Sequence, residues 1–257
     1  MLLQKYYESI RLLYHYACRR LGIQKYAIHQ ICLPEQKLQY IPMPKNACSS
    51  IKYALFEIEK GKTFDPDEFR KLGYRDIHDY YQKQPQAFRS VSDLESKTSY
   101  TTFTVIRDPV KRLISCYRNR VVDLKDLEKT RIQLKLKGLS PDPDLNTFVR
   151  QLEEYRAANK VIEHHSRAQY KFLGGRLDYV DRIFPIEKIP ALTGFLQQYV
   201  EDLELPAKKA DGTSYNLCDL SPEALEKAIQ FYKEDYDLLK DYYTPEEIRE
   251  EYKISIT

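Results

Sequence analysis

Twice in this chain a short run of strand-forming residues crosses a polar loop straight into a helical pattern, and no other feature restricts the fold as much. The first unit runs Leu38-Gln39-Tyr40-Ile41-Pro42-Met43 and is ended by Pro44. It crosses Lys45-Asn46-Ala47-Cys48-Ser49-Ser50 and continues with Ile51, Ala54, Leu55 and Ile58 on one helical face. The second runs from Tyr100 to Ile106, crosses Arg107-Asp108-Pro109, and continues with Leu113, Ile114, Tyr117 and Val121 on one side. Asp108 is suited to cap that helix and Pro109 to fill its first position. Two such units favour a parallel sheet flanked by helices, and such sheets take ligands beyond the carboxyl ends of their strands. The expected fold class is α/β.

Further along, Tyr179 to Ile186 reads as a third strand and Pro190 to Tyr199 as a helix. Leu145, Phe148, Val149 and Leu152 mark another helix, and Ser221-Pro222-Glu223 opens a long one reaching Leu239. Residues 1–30 are expected to hold a helical segment, with Tyr7, Ile10, Tyr14, Ala17 and Leu21 at helical spacing beside Arg11, Arg19 and Arg20. Packing on the domain is preferred for it over peripheral membrane contact, which its basic amphipathic pattern also suits. Residues 61–99 are polar and irregular, and 123–143 are charged, then proline-bearing, as in a loop or insertion. With no repeat and no low-complexity tract, residues 1–257 read as a single domain.

Forty-one basic against 38 acidic residues leave a net charge of +3, a small excess for a nucleic-acid partner but compatible with a local basic pocket. No apolar run approaches the roughly 20 residues that span a bilayer, and charges interrupt every candidate signal-peptide core. The five cysteines are scattered without a CxxC pair, so neither a disulfide framework nor a metal site is expected, and a cytoplasmic location is.

The first loop has the makings of an anion site. A strand-to-helix loop aims its free backbone N–H groups above the helix N-terminus, where the dipole adds positive potential. Ser49 and Ser50 add hydroxyl donors, Lys45 adds a mobile charge, and Ala47 is small enough for close approach. The loop lacks the two glycines of GxxxxGK[ST], which disfavours a nucleoside-triphosphate kinase. Read by itself it is equally an ordinary capped helix beside an exposed lysine.

The second loop is more specific. Phe103 to Asn119, FTVIRDPVKRLISCYRN, resembles the RDPxxRLxSxYRN signature for the nucleotide 3′-phosphate in the carbohydrate (family 2 type) sulfotransferases. Pro44 to Lys52 is similar in place and character to that family's 5′-phosphosulfate loop. His165-Ser166-Arg167-Ala168-Gln169 resembles its HWRPQ segment without the Trp and Pro, and Phe231 to Leu239 its closing YxxDYxLF helix. The matches run in order through residues 42–239.

The resemblance implies a P-loop-like three-layer sandwich with a central parallel sheet flanked by helices. It implies the co-substrate 3′-phosphoadenosine 5′-phosphosulfate (PAPS), the product 3′-phosphoadenosine 5′-phosphate, no metal, and a glycan or other hydroxyl-bearing acceptor. Residues 45–50 (Lys45, Asn46, Ala47, Cys48, Ser49, Ser50) would hold the 5′ end, and Arg107 and Ser115 the 3′-phosphate. Arg107 offers the planar fork that phosphate favours, although a salt bridge to Asp108 would equally explain it. Arg112 reads as a bridge between loops and Tyr117 as core.

Sulfuryl transfer resembles phosphoryl transfer, in which the protein positions the reactants and stabilises charge. Lys45 is the candidate to neutralise the leaving phosphate. Of the five histidines, His78, between the two loops, is the first choice for a general base and His165 the second, while His15 and His29 fall in an N-terminal segment away from either motif. Lipid, phenol and tyrosine acceptors, and a non-catalytic nucleotide-binding module, are the alternatives.

Overall fold

The computed structural model describes residues 28–85, 87–90, 94, 99–205 and 215–257. The expected helix within residues 1–30, and His15 with it, lie outside the described residues. Strands β1 (Ile28–His29), β2 (Ile31–Leu33) and β3 (Leu38–Ile41) are followed by helices α1 (Cys48–Lys60), α2 (Pro66–Lys71) and α3 (Ile77–Gln82). Then come β4 (Phe88–Arg89), β5 (Thr101–Ile106) and α4 (Pro109–Cys116), and after a wide turn α5 (Arg131–Leu136), α6 (Leu145–Arg150), α7 (Leu152–Ala158), α8 (Lys160–Ser166) and α9 (Gln169–Phe172). β6 (Arg182–Pro185), α10 (Ile189–Leu196), α11 (Pro222–Phe231), α12 (Lys233–Leu238) and α13 (Pro245–Ser255) complete the order.

The central sheet has the order β2-β3-β5-β6, and among the described residues β1 pairs only with β4. β3, β5 and β6 are parallel, with Ile41 opposite Thr104 and Ile106 opposite Pro185, so their carboxyl ends share one edge. The expected central parallel sheet is made mixed by β2, which runs antiparallel to β3 with Ile31 opposite Tyr40. The cause is chain length: residues 34–37 make a short turn, whereas a parallel crossover needs about a dozen residues.

Alternation along the strands sorts the side chains. Leu38, Tyr40, Phe103 and Val105 face a core shared with Ile51, Leu55 and Phe56 of α1 and Leu192 and Leu196 of α10. On the other face Thr102 Oγ1 donates to Gln39 Oε1 (3.0 Å) and Thr104 Oγ1 to the Ile41 carbonyl (2.9 Å). A second core draws on no strand and is built chiefly from α4, α5, α6, α7, α8, α11, α12 and α13. A third gathers Ile41, Met43 and Ile106, at the strand ends, with Leu173, Tyr179 and Leu239.

Several elements differ from the sequence reading. The third strand is shorter than 179–186, because Tyr179 and Val180 are spent on that third core. The stretch 123–143 holds helix α5 and is not loop throughout. The expected long helix to Leu239 breaks at Tyr232, whose hydroxyl donates to the Ser166 carbonyl at 2.7 Å.

Candidate active site

Both loops emerge at the shared carboxyl edge of β3 and β5, and they touch. Arg107 Nη1 donates to the Lys45 carbonyl at 3.4 Å. Arg112, fully buried, donates from Nε to the Pro44 carbonyl (3.0 Å) and from Nη2 to the His165 carbonyl (3.3 Å), the bridge its place in the motif suggested. Asp108 caps α4 by accepting from Val110 N and Lys111 N, with Pro109 in the first turn, and Tyr117 is core. After Cys116 the helix widens into a π-type turn, Tyr117–Asp123, a form frequent at functional sites. That turn carries Asn119, whose Oδ1 accepts from Lys45 Nζ at 2.8 Å.

The Asn46 side chain is turned inward from the loop. It is fully buried, and its Nδ2 donates to the Val105 carbonyl and to Gln169 Oε1, both at 2.8 Å. Gln169 also accepts from Arg107 N (3.2 Å) and donates to the Arg107 carbonyl (2.8 Å), so one amide ties the two loops to α9. The backbone N–H groups of Gln169 and Tyr170 donate to Asp235 of α12 at 2.8 and 2.7 Å, and Tyr236 donates to Asp108 at 3.0 Å. The weaker HSRAQ and closing-helix matches are therefore the struts of the two stronger ones.

A cavity of about 340 Å³ opens beside the first loop. Lys45, Cys48, Ser49, His78 and His165 line it together, from three separate stretches of chain. So do His29, Lys52, Asn119, Arg120 and His164, which sequence reasoning did not assign to the site. His29 reaches it through pairing of β1 with β4, where it sits opposite Phe88. That long-range pairing left no mark in the local pattern. Lys52 stood within the matched segment, one turn beyond Ser49, and that spacing was the available signal.

Among the described residues the lining holds three cations, four histidines and no carboxylate. Burial pushes the Lys45 ammonium down to about 8 and the His29 and His165 imidazoles down to about 3. His78 has Nε2 at 2.9 Å from Ser49 Oγ and Nδ1 at 3.1 Å from Lys52 Nζ. His165 has Nδ1 at 2.9 Å from the Val161 carbonyl.

Arg107 and Ser115 are half-buried and lie outside this cavity's lining, while Ala47 and Ser50 belong to the turn into α1. Among the described residues Arg107 makes no ion pair, so the Asp108 salt bridge does not form, and its buried Nε has no partner. A donor set of this kind, short of acceptors, suits a ligand with anionic groups at two ends. Among the described residues no group of His, Cys, Asp or Glu side chains is placed to hold a metal ion, and no helix is long and apolar enough to cross a membrane.

The model of the sulfotransferase family, family 2 type, matches residues 29–243, from β1 to beyond α12. The chain belongs to this family. Neither the curated proteins nor the solved structures give a match. As a sulfotransferase it has both of its loop motifs at one sheet edge, with the histidine-lined cavity beside them.

Proposed function

We propose that this sulfotransferase moves the sulfuryl group of PAPS to a hydroxyl of a carbohydrate acceptor by in-line displacement. The observation that carries the reading is the cavity beside the loop after β3, lined by Lys45, Lys52 and Arg120 with no carboxylate among the described residues. We read the β3–α1 loop as a P-loop-like phosphate cradle without its glycines. Lys45, Ser49 and Ser50 would hold the 5′ end of the nucleotide, and Arg107 with Ser115 the 3′-phosphate. When bound, PAPS supplies an activated sulfuryl group on a phosphate leaving group.

The chain's own residues supply position and charge. Lys45, held on one side by Asn119, meets the negative charge that grows on the leaving oxygen. An anion beside Lys45 offsets the burial that now lowers its proton affinity. A histidine of the cavity receives the acceptor proton, a contribution of about 10²–10⁴ in rate. The carbohydrate class rests on the second loop's resemblance to the carbohydrate sulfotransferases, since acceptor loops vary on a common scaffold.

Calorimetry with 3′-phosphoadenosine 5′-phosphate tests the donor half. Lys45→Ala and Arg107→Ala should each weaken binding about tenfold or more, the value of a charge-assisted contact. Radiolabelled PAPS offered with glycan, lipid, phenol and tyrosine acceptors tests the other half, and label should enter a glycan. Indifference of the protein to the nucleotide would remove the reading, and nucleotide binding without label in any acceptor would leave a binding module.

A further inference from the structure

His78 and His165 line one cavity but differ in what their ring nitrogens already hold. Lys52, 3% exposed, sits 3.1 Å from His78 Nδ1 and makes no ion pair among the described residues. An ammonium only donates, so Nδ1 accepts and the ring proton is on Nε2. That proton is given to Ser49 Oγ at 2.9 Å, which leaves the hydroxyl's own hydrogen to donate onward. The hydrogens of Lys52, His78 and Ser49 then all point from a buried cation toward the phosphate loop, and such a series polarises along its length.

A further proton on His78 would set an imidazolium against a buried ammonium, a repulsion that low dielectric strengthens. His29, His164, Cys48 and Asp76 are the other titratable groups around Lys52. Burial lowers its proton affinity, and Cys48 and Asp76 oppose that. His165 has the opposite arrangement. The Val161 carbonyl can only accept, so Nδ1 carries the ring proton and Nε2 keeps its lone pair, with no partner among the described residues.

We propose that Lys52, His78 and Ser49 form one donor chain of the anion cradle, with His78 a positioning residue for Ser49, and that His165 is the general base. The assignment rests on the sulfotransferase reading. As the acceptor O–H bond breaks, its proton passes to His165 Nε2. The acceptor oxygen forms the new O–S bond, and the old S–O bond breaks with its electron pair leaving on the 5′-phosphate.

Calorimetry with 3′-phosphoadenosine 5′-phosphate separates the two histidines. His78→Ala should weaken binding about tenfold, and His78→Gln, whose amide N–H replaces the ring donor, should restore it to within about threefold. Packing alone would not give that rescue. His165→Ala should leave affinity unchanged while transfer falls about 10²-fold or more. His78→Ala binding like the wild type but losing turnover would overturn the assignment.

Nitrogen-15 spectra of the full chain with labelled histidine read the tautomers without nucleotide or acceptor. Nε2–H on His78 and Nδ1–H on His165 are expected, and Nδ1–H on His78 would overturn the donor chain. A wild-type protein with the expected tautomers that ignores the nucleotide would instead sink the sulfotransferase reading, which keeps the two failures distinct.

Discussion

Lys45 and Ala47 both hold a left-handed backbone, at φ 71° and 55°. That conformation costs a residue with a Cβ about 1–2 kcal/mol, and glycine carries no such cost. The strain is local to the turn: Ala47 is the N-cap of α1 without a side-chain cap, and its carbonyl accepts from Ile51 N at 3.1 Å. Ala47→Gly should therefore raise stability in urea by about 0.5 kcal/mol, strain relief less the added freedom of the unfolded chain. Ala47→Val should lower it, because a β-branched residue adopts this region least readily. A destabilised glycine variant would mean that the methyl group packs usefully, and that the strain is not what limits the turn. At this scale the sequence was legible where chemistry is local, as at Asp108 and Pro109. It was silent at Asn46, whose side chain in a polar loop is buried on Val105 and Gln169, partners 59 and 123 residues away.

Between elements, the decisive contacts are long-range and polar. Asp235 of α12 receives the first two N–H groups of α9, Gln169 and Tyr170, donors that a helix start cannot satisfy internally. Asp235→Ala would strand both in a buried site, at about 1–3 kcal/mol each. We expect a total loss near 3 kcal/mol in urea, together with weaker nucleotide binding, because Gln169 then loses its hold on the Asn46 and Arg107 loops. Glu226→Ala, which removes one of the exposed partners of Arg249, should cost under about 1 kcal/mol. Equal losses in the two variants would show that Asp235 is not an anchor. The closing-helix pattern was visible in the sequence, but its role was not. A spacing of 66 residues between Asp235 and Gln169 leaves no periodicity to read.

For the whole molecule, the two strand–loop–helix units did prescribe the parallel strands and their shared carboxyl edge. The antiparallel β2 and the β1–β4 pair were hidden, because strands of two or three residues carry too little alternation to register. It is through β1 that His29 joins the cavity, and so the charge balance of the site was hidden too. That balance has a consequence for pH. Burial, chiefly, holds His29 and His165 at about 3 and His164 at about 4 in the folded chain, against about 6.5 when unfolded. Below pH ~6.5 the unfolded chain binds these protons and the folded one does not, so this stability is present at neutral pH and lost on acidification. Burial acts oppositely on Asp108 and Asp235, raising both to about 6, so these two favour the folded chain as pH falls from ~6 to ~4. Three histidines against two carboxyls leave the histidines ahead, and between pH ~6.5 and ~6 unopposed. The thermal midpoint should therefore drop on going from pH ~7.5 to ~5.5. Saturating 3′-phosphoadenosine 5′-phosphate should reduce the drop, since phosphate beside the imidazoles favours their protonated forms. A midpoint that rises over this interval would show that the histidines are not held neutral in the fold.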